Sequence, residues 1–82
     1  MIYEIKIHHK YFSPLFTGKK TFDLMKDKGF KVGDIIRYRE YSDMLGSYTG
    51  METRKEIVYR YEGQGNYGLA KGYVILALKD VV

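Results

Sequence analysis

Eighty-two residues, 45% hydrophobic and 29% charged, make one domain over 1–82 and leave no room for a second core. The absence of cysteine excludes disulfides and thiolate metal sites, and a formal charge of +4 favours polyanionic partners over cationic ones. Nine tyrosines and four phenylalanines, with no tryptophan, suit a small sheet or barrel with a thin core, because tyrosine buries area while keeping a hydroxyl for water or a partner.

The opening run MIYEIKIHH alternates, with Tyr3, Ile5 and Ile7 on one face and Glu4, Lys6 and His8 on the other. It therefore reads as a half-buried strand and not as a signal peptide. Residues 10–17 break that period. Phe12, Leu15 and Phe16 stand at i, i+3 and i+4, which predicts a two-turn helix with Ser13 as its cap, Pro14 in its first turn and Gly18 ending it. Residues 21–25 read as a strand, Asp27-Lys28-Gly29 as a turn, and Gly33-Asp34 as another. Residues 35–41 form a strand with Ile36 and Tyr38 on one face and Ile35, Arg37, Arg39 and Tyr41 on the other.

After the loop 42–47 a long strand begins at Tyr48, and Gly50 within it marks a bulge or sharp bend. Over 52–62 the alternation sets Ile57, Tyr59 and Tyr61 against Glu56, Val58, Arg60 and Glu62. GQGNYG at 63–68 is a glycine-rich loop; it opens no helix, so it lacks the dipole of a phosphate cradle. Residues 72–79 are apolar on both faces, as in a doubly buried strand. The apolar run 73–78 is far shorter than the roughly 20 residues of a spanning helix, so a cytoplasmic protein with no membrane partner is expected. The order strand, helix, then four or five strands predicts a mainly β fold with one or two short helices, arranged as a small closed barrel of mostly antiparallel strands.

Two clusters carry possible chemistry. Residues 18–34 hold five lysines, Lys19, Lys20, Lys26, Lys28 and Lys31, against three acids. Tyr38, Arg39 and Tyr41 interleave aromatic rings with a guanidinium, a pattern that can stack unpaired bases while holding a backbone, and Tyr41 shares a face with two arginines. His8 and His9 are adjacent on a strand end and point to opposite faces, which is no metal or acid–base pair. No metal and no cofactor is expected.

The segments GKKTFDLMK, GFKVGDIIRYREY, YTG at 48–50 and LAKGYVILAL resemble the short bacterial and phage branch of the ASCH superfamily, the activating signal cointegrator homology domains, across Ile5 to Leu78. The resemblance implies a PUA-like closed barrel of five to six strands with a helix at one end, and RNA or a nucleotide as partner. The superfamily's signature runs glycine, any residue, lysine, two of any kind, glutamate, any residue, arginine. It meets Gly18 and Lys20, then Asp23 in place of glutamate and Met25 in place of arginine. The first change keeps the charge; the second removes a planar fork that binds phosphate bidentately.

The leading expectation is a monomeric RNA-binding module with a lysine-rich cleft after the first helix, using Lys19, Lys20, Asp23, Lys26, Arg39 and Tyr41. Lys20 would meet a phosphate, while Asp23 would accept from a base edge or orient Lys20. The resemblance also implies, as an alternative, an amidohydrolase acting on acylated nucleosides such as N4-acetylcytidine, with Lys20 and Asp23 at its catalytic positions; Thr21 lies two residues from the place of the nucleophilic threonine. A protein-interaction domain using the barrel's rim is the third reading.

Overall fold

A computed structural model describes residues 1–81. Strand β1 (Ile2–His8) follows its alternation, with Tyr3, Ile5 and Ile7 turned inward, and runs directly into helix α1 (His9–Phe16). Four strands follow: β2 (Phe22–Lys26), β3 (Ile35–Ser42), β4 (Ser47–Glu62) and β5 (Tyr73–Asp80). They form one sheet in the order β1-β3-β4-β5-β2, with β1 parallel to β3 and every other pairing antiparallel. The mainly β class with one short helix is the one the alternation predicts. The sheet curls as a half-barrel, with β1 and β2 as its edges. Helix α1 fills the concave side, sending Phe12 and Leu15 against Ile36, Tyr38, Ile57, Val74, Leu76 and Leu78.

The helix departs from expectation at its start. His8, not Ser13, is the cap: its Nδ1 accepts the Lys10 amide at 3.2 Å, the role usually filled by a serine or aspartate oxygen. Pro14 lies inside the helix, where it removes the amide that would reach the Lys10 carbonyl. Ser13 instead accepts at its carbonyl from the Thr17 amide at 2.9 Å and the Thr17 hydroxyl at 3.0 Å. Phe16 is half exposed and stacks on Phe12 with ring centroids 5.5 Å apart.

Strand β4 carries two irregularities. Around Gly50, at φ 93°, its register with β3 shifts between the Arg39 and Tyr41 pairs, so the predicted bend is there. The second was not predicted. Val58 is an extra residue against β5, with Ile57 opposite Leu78 and Tyr59 opposite Ala77. The extra residue reverses the inside–outside phase. Tyr59 and Tyr61 face outward rather than into the core. Arg60 turns inward instead, gripping both oxygens of Asp27 at 2.6 and 3.3 Å and donating to the Phe30 carbonyl at 2.5 Å. Strand β5 buries Val74, Leu76 and Leu78, while its other face is only half covered. Among the described residues, no helix is long and apolar enough to cross a membrane.

Two outcomes test these contacts. A Cβ on Gly63 would lie 2.1 Å from the Ala70 carbonyl oxygen, so Gly63→Ala should cost about 1–3 kcal/mol in urea denaturation; an unchanged midpoint would show that this close approach is dispensable. The Arg60 hydrogen bond, reinforced by the Gly29 and Phe30 amides and opposed by burial, holds the Asp27 carboxyl below its ordinary 3.8. A depressed carboxyl stabilises the fold above its unfolded value and loses that contribution as pH falls through the folded one. Stability should therefore drop as pH is lowered from about 4, and Asp27→Asn should flatten that part of the profile.

Candidate functional site

The segment Gly18–Thr21 is fastened at both ends. Gly18, at φ 82°, lies where the helix reverses, and its amide donates to the Leu15 carbonyl at 3.3 Å. The Lys20 amide donates to the Pro14 carbonyl at 3.0 Å, and the Thr21 carbonyl accepts the Leu78 amide at 2.8 Å. Lys20 is thereby held between the helix end and the first residues of β2. Its ammonium stands 3.7 Å from Asp23 Oδ1.

Strand parity turns Asp23 and Met25 inward and Phe22, Leu24 and Lys26 outward. Asp23 Oδ2 accepts the Tyr38 hydroxyl at 2.8 Å, and Oδ1 accepts the Leu24 amide at 3.0 Å. Tyr38 is fully buried. Burial first, then the neighbouring Asp23 charge and hydrogen bond, hold its phenol proton far above the ordinary tyrosine range. Tyr38 is therefore a core residue and not a stacking ring.

Beside this pair lies a hollow of about 250 Å³, lined by Gly18, Lys20, Thr21, Lys55, Leu78, Lys79 and Asp80. Lys20 borders it as the sequence led one to expect; Asp23 is not part of its wall. Lys55 is the contributor that the sequence reading missed. It is only 4% exposed and is ion-paired to the exposed carboxylate of Asp80. The available signal was parity, because Lys55 stands two residues from the buried Ile57 and so must share its face. Lysine is rarely buried without such a partner. Three lysines thus line the hollow with one carboxylate, and each is ion-paired: Lys20 with Asp23, Lys55 with Asp80, and Lys79 with Glu56 at 3.9 Å.

The other candidates lie elsewhere. Lys19 is exposed next to Lys20, and Lys26 is on the outer face at the far end of β2. Arg39 and Tyr41 occupy the face of β3 opposite Tyr38, and hence the face away from Asp23. There Arg39 pairs with Glu4 at 3.1 Å and lies 3.9 Å from the Tyr48 ring, while Tyr41 meets Tyr48 edge-on at 5.8 Å with Lys6 over its ring. The six residues therefore do not form one cleft, because alternation along two separate strands sends them to opposite faces. His8 and His9 end a strand and begin a helix as expected. Their rings lie together, 4.2 Å between centroids, instead of pointing to opposite faces, because the chain turns from strand to helix between them. His8 Nε2 is 2.9 Å from Asp43. Among the described residues, no three histidine or carboxylate side chains gather around one metal position.

All three acids of the lysine-rich stretch are engaged within the fold. Asp23 holds Tyr38 and Lys20, Asp27 holds Arg60, and Asp34 holds the N-terminal ammonium at 3.0 Å and the Lys31 amide at 2.9 Å. Among the described residues, Lys19, Lys26, Lys28 and Lys31 are left with no carboxylate within 4.0 Å. The chain belongs to the family described as a domain of unknown function, DUF3850, which it matches over residues 2–78. No curated protein matches it.

Removing the Tyr38 hydroxyl should leave a part-buried carboxylate oxygen without its donor. Tyr38→Phe should cost about 1.5–3 kcal/mol, the range for a hydrogen bond to a charged group. Denaturation of the two proteins side by side measures it, and a loss below about 0.5 kcal/mol would mean that the contact contributes little to closure.

Proposed function

We propose that the protein is an RNA-binding module in which the hollow between the helix end, the middle of β4 and the end of β5 takes a backbone phosphate. The observation that carries this reading is the meeting of Lys20 and Lys55 at one concavity whose wall offers a single carboxylate, Asp80. Each ammonium already has a carboxylate neighbour, Asp23 at 3.7 Å for Lys20 and Asp80 for Lys55. A phosphate would compete with those carboxylates in a partly desolvated hollow, where charge acts more strongly than on an open surface. Lys19, exposed and without a carboxylate neighbour, extends the positive edge along the chain. Asp23 holds the Lys20 ammonium from the inner side and is occupied by Tyr38, so its role is to position Lys20 rather than to read a base.

The resemblance to the ASCH superfamily supports the same conclusion, since its signature lysine falls at Lys20. Met25, where that signature has arginine, packs against the core. A guanidinium there would be buried, and Lys55 supplies the second cation from another strand.

With phosphates held by Lys19, Lys20 and Lys55, log affinity for a single strand should fall with log salt at a slope near −2, about 0.7 per phosphate. Lys20→Ala should weaken binding of a fluorescein-labelled single-stranded RNA and reduce the slope by about 0.7. Fluorescence anisotropy across a salt series reads both. Binding indifferent to salt, or to Lys20→Ala, would remove the phosphate hollow from the mechanism.

One contact favours a second reading: Thr21 lines the same hollow as Lys20. A hydroxyl beside an ammonium is the raw material of a lysine-activated nucleophile. Hydrolysis of an acylated nucleoside would then release cytidine from N4-acetylcytidine, and both Thr21→Ala and Lys20→Ala should abolish the release. No cytidine from the unaltered protein would dismiss this chemistry.

A further inference from the structure

We infer that the outward face of β2, β5 and β4 is a platform on which unpaired bases of the same RNA stack, so that the hollow holds the backbone while the sheet holds the bases. This rests on the RNA-binding reading and adds where and how the bases are gripped.

The strand register composes the face. Phe22 pairs with Ala77, which pairs with Tyr59, so the three lie in one row across the sheet. Leu24, Ile75 and Tyr61 form the next row. Phe22 is 52% exposed and Tyr59 64% exposed, two large rings on the surface of a small protein. Their Cα atoms are two strand spacings apart, about 9.5 Å, with only the methyl group of Ala77 between them. The result is two solvent-exposed rings flanking a small side chain on the outer face. Such exposed rings suit a flat heterocycle, because stacking needs a ring face and no fixed hydrogen-bond pattern.

Charge selects the occupant. The Lys20 ammonium lies 5.4 Å from the Phe22 ring centroid, at the lip between hollow and outer face. Lys26 projects outward from the same strand, none of the residues in the two rows is acidic, and Glu56 in the adjoining row is paired with Lys79 at 3.9 Å. Aromatic faces bordered by cations suit a polyanion that carries flat rings. A second copy of this chain is disfavoured, since a two-fold contact would set Lys26 and its neighbours against the same positive surface. Addition of a strand to the β2 edge is opposed as well, because Asp23 already occupies the Leu24 amide at 3.0 Å.

The test compares two labelled oligomers of equal length, a mixed-sequence single-stranded RNA and one whose residues are abasic, by anisotropy in low salt. The unaltered protein should bind the base-bearing oligomer more tightly. Tyr59→Ala and Phe22→Ala should each weaken that binding by about 5- to 150-fold, the range for loss of one stacked base, and leave the abasic oligomer unaffected. Tyr59→Phe should restore binding, whereas Tyr59→Leu, which keeps apolar area but no ring face, should not. Lys20→Ala should weaken both oligomers. If the ring variants bind base-bearing RNA as tightly as the parent while Lys20→Ala does not, the platform is refuted and the phosphate hollow stands. If the parent binds neither oligomer, both readings fall. A dimer seen by light scattering and dissociated by Tyr59→Lys would assign the face to a second copy and overturn the platform.

Discussion

The hydrogen bond from Tyr38 to Asp23, 2.8 Å long, joins two strands that are not neighbours. In the order β1-β3-β4-β5-β2, strand β3 stands three places from β2, about 14 Å away in a flat sheet. Side chains rise roughly perpendicular to a sheet, so two inward groups at that separation meet only if the sheet curls over itself. The curl, the bulges that produce it and the interior it encloses are all registered in this one contact. It also gives the edge strand its function. The carboxylate that closes the half-barrel takes up the free Leu24 amide of the edge and holds the Lys20 ammonium 3.7 Å away. One side chain thus couples closure, edge protection and the placement of a cation.

The same economy explains the charge distribution. Asp27 and Asp34 are, like Asp23, spent on the frame. Asp27 closes the turn after β2 by accepting the Gly29 amide at 2.9 Å and the Arg60 guanidinium, and Asp34 ties the start of β3 to the chain's N-terminus. A surface cation exchanges little free energy with a neighbouring carboxylate, but pairing weakens the field it projects. Turning the acids inward and leaving the lysines outside therefore produces a positive surface from a stretch whose composition is only moderately basic.

What the sequence made legible was whatever depends on one strand at a time. Alternation placed Tyr3, Ile5 and Ile7 of β1, and Ile36 and Tyr38 of β3, on the inner side. Gly50 marked its bend because a positive φ favours glycine. The reading failed where pairing decides. Nothing in ETRKEIVYRYE announces that Val58 is surplus against β5, and that single residue exchanges Tyr59 and Tyr61 with Arg60. Parallel pairing of β1 with β3 was equally hidden, since it joins segments separated by a helix and a strand. Lys55 was passed over because its charge argued for the surface while its parity argued for the interior. Arg39 and Tyr41 were grouped with Lys20 and Asp23 by composition, although the face of one strand can be compared with that of another only after the topology is known.

Strand β2 shows how five residues serve both faces at once. The period of two sends Asp23 inward to the Tyr38 hydroxyl and Phe22 outward to the row it shares with Ala77 and Tyr59. Lys20 precedes the strand, outside its alternation, and its ammonium is within reach of both: 3.7 Å from the carboxylate and 5.4 Å from the ring centroid. A group at that lip contributes charge to the hollow and to the outer face without belonging wholly to either. On the RNA-binding reading proposed above, a chain crossing the edge of the sheet would lay a phosphate on one side of Lys20 and a base on the other, with neighbouring nucleotides on opposite faces of β2. An edge strand closed by its own aspartate is suited to that task, because it offers side chains to a ligand while withholding its backbone from other strands.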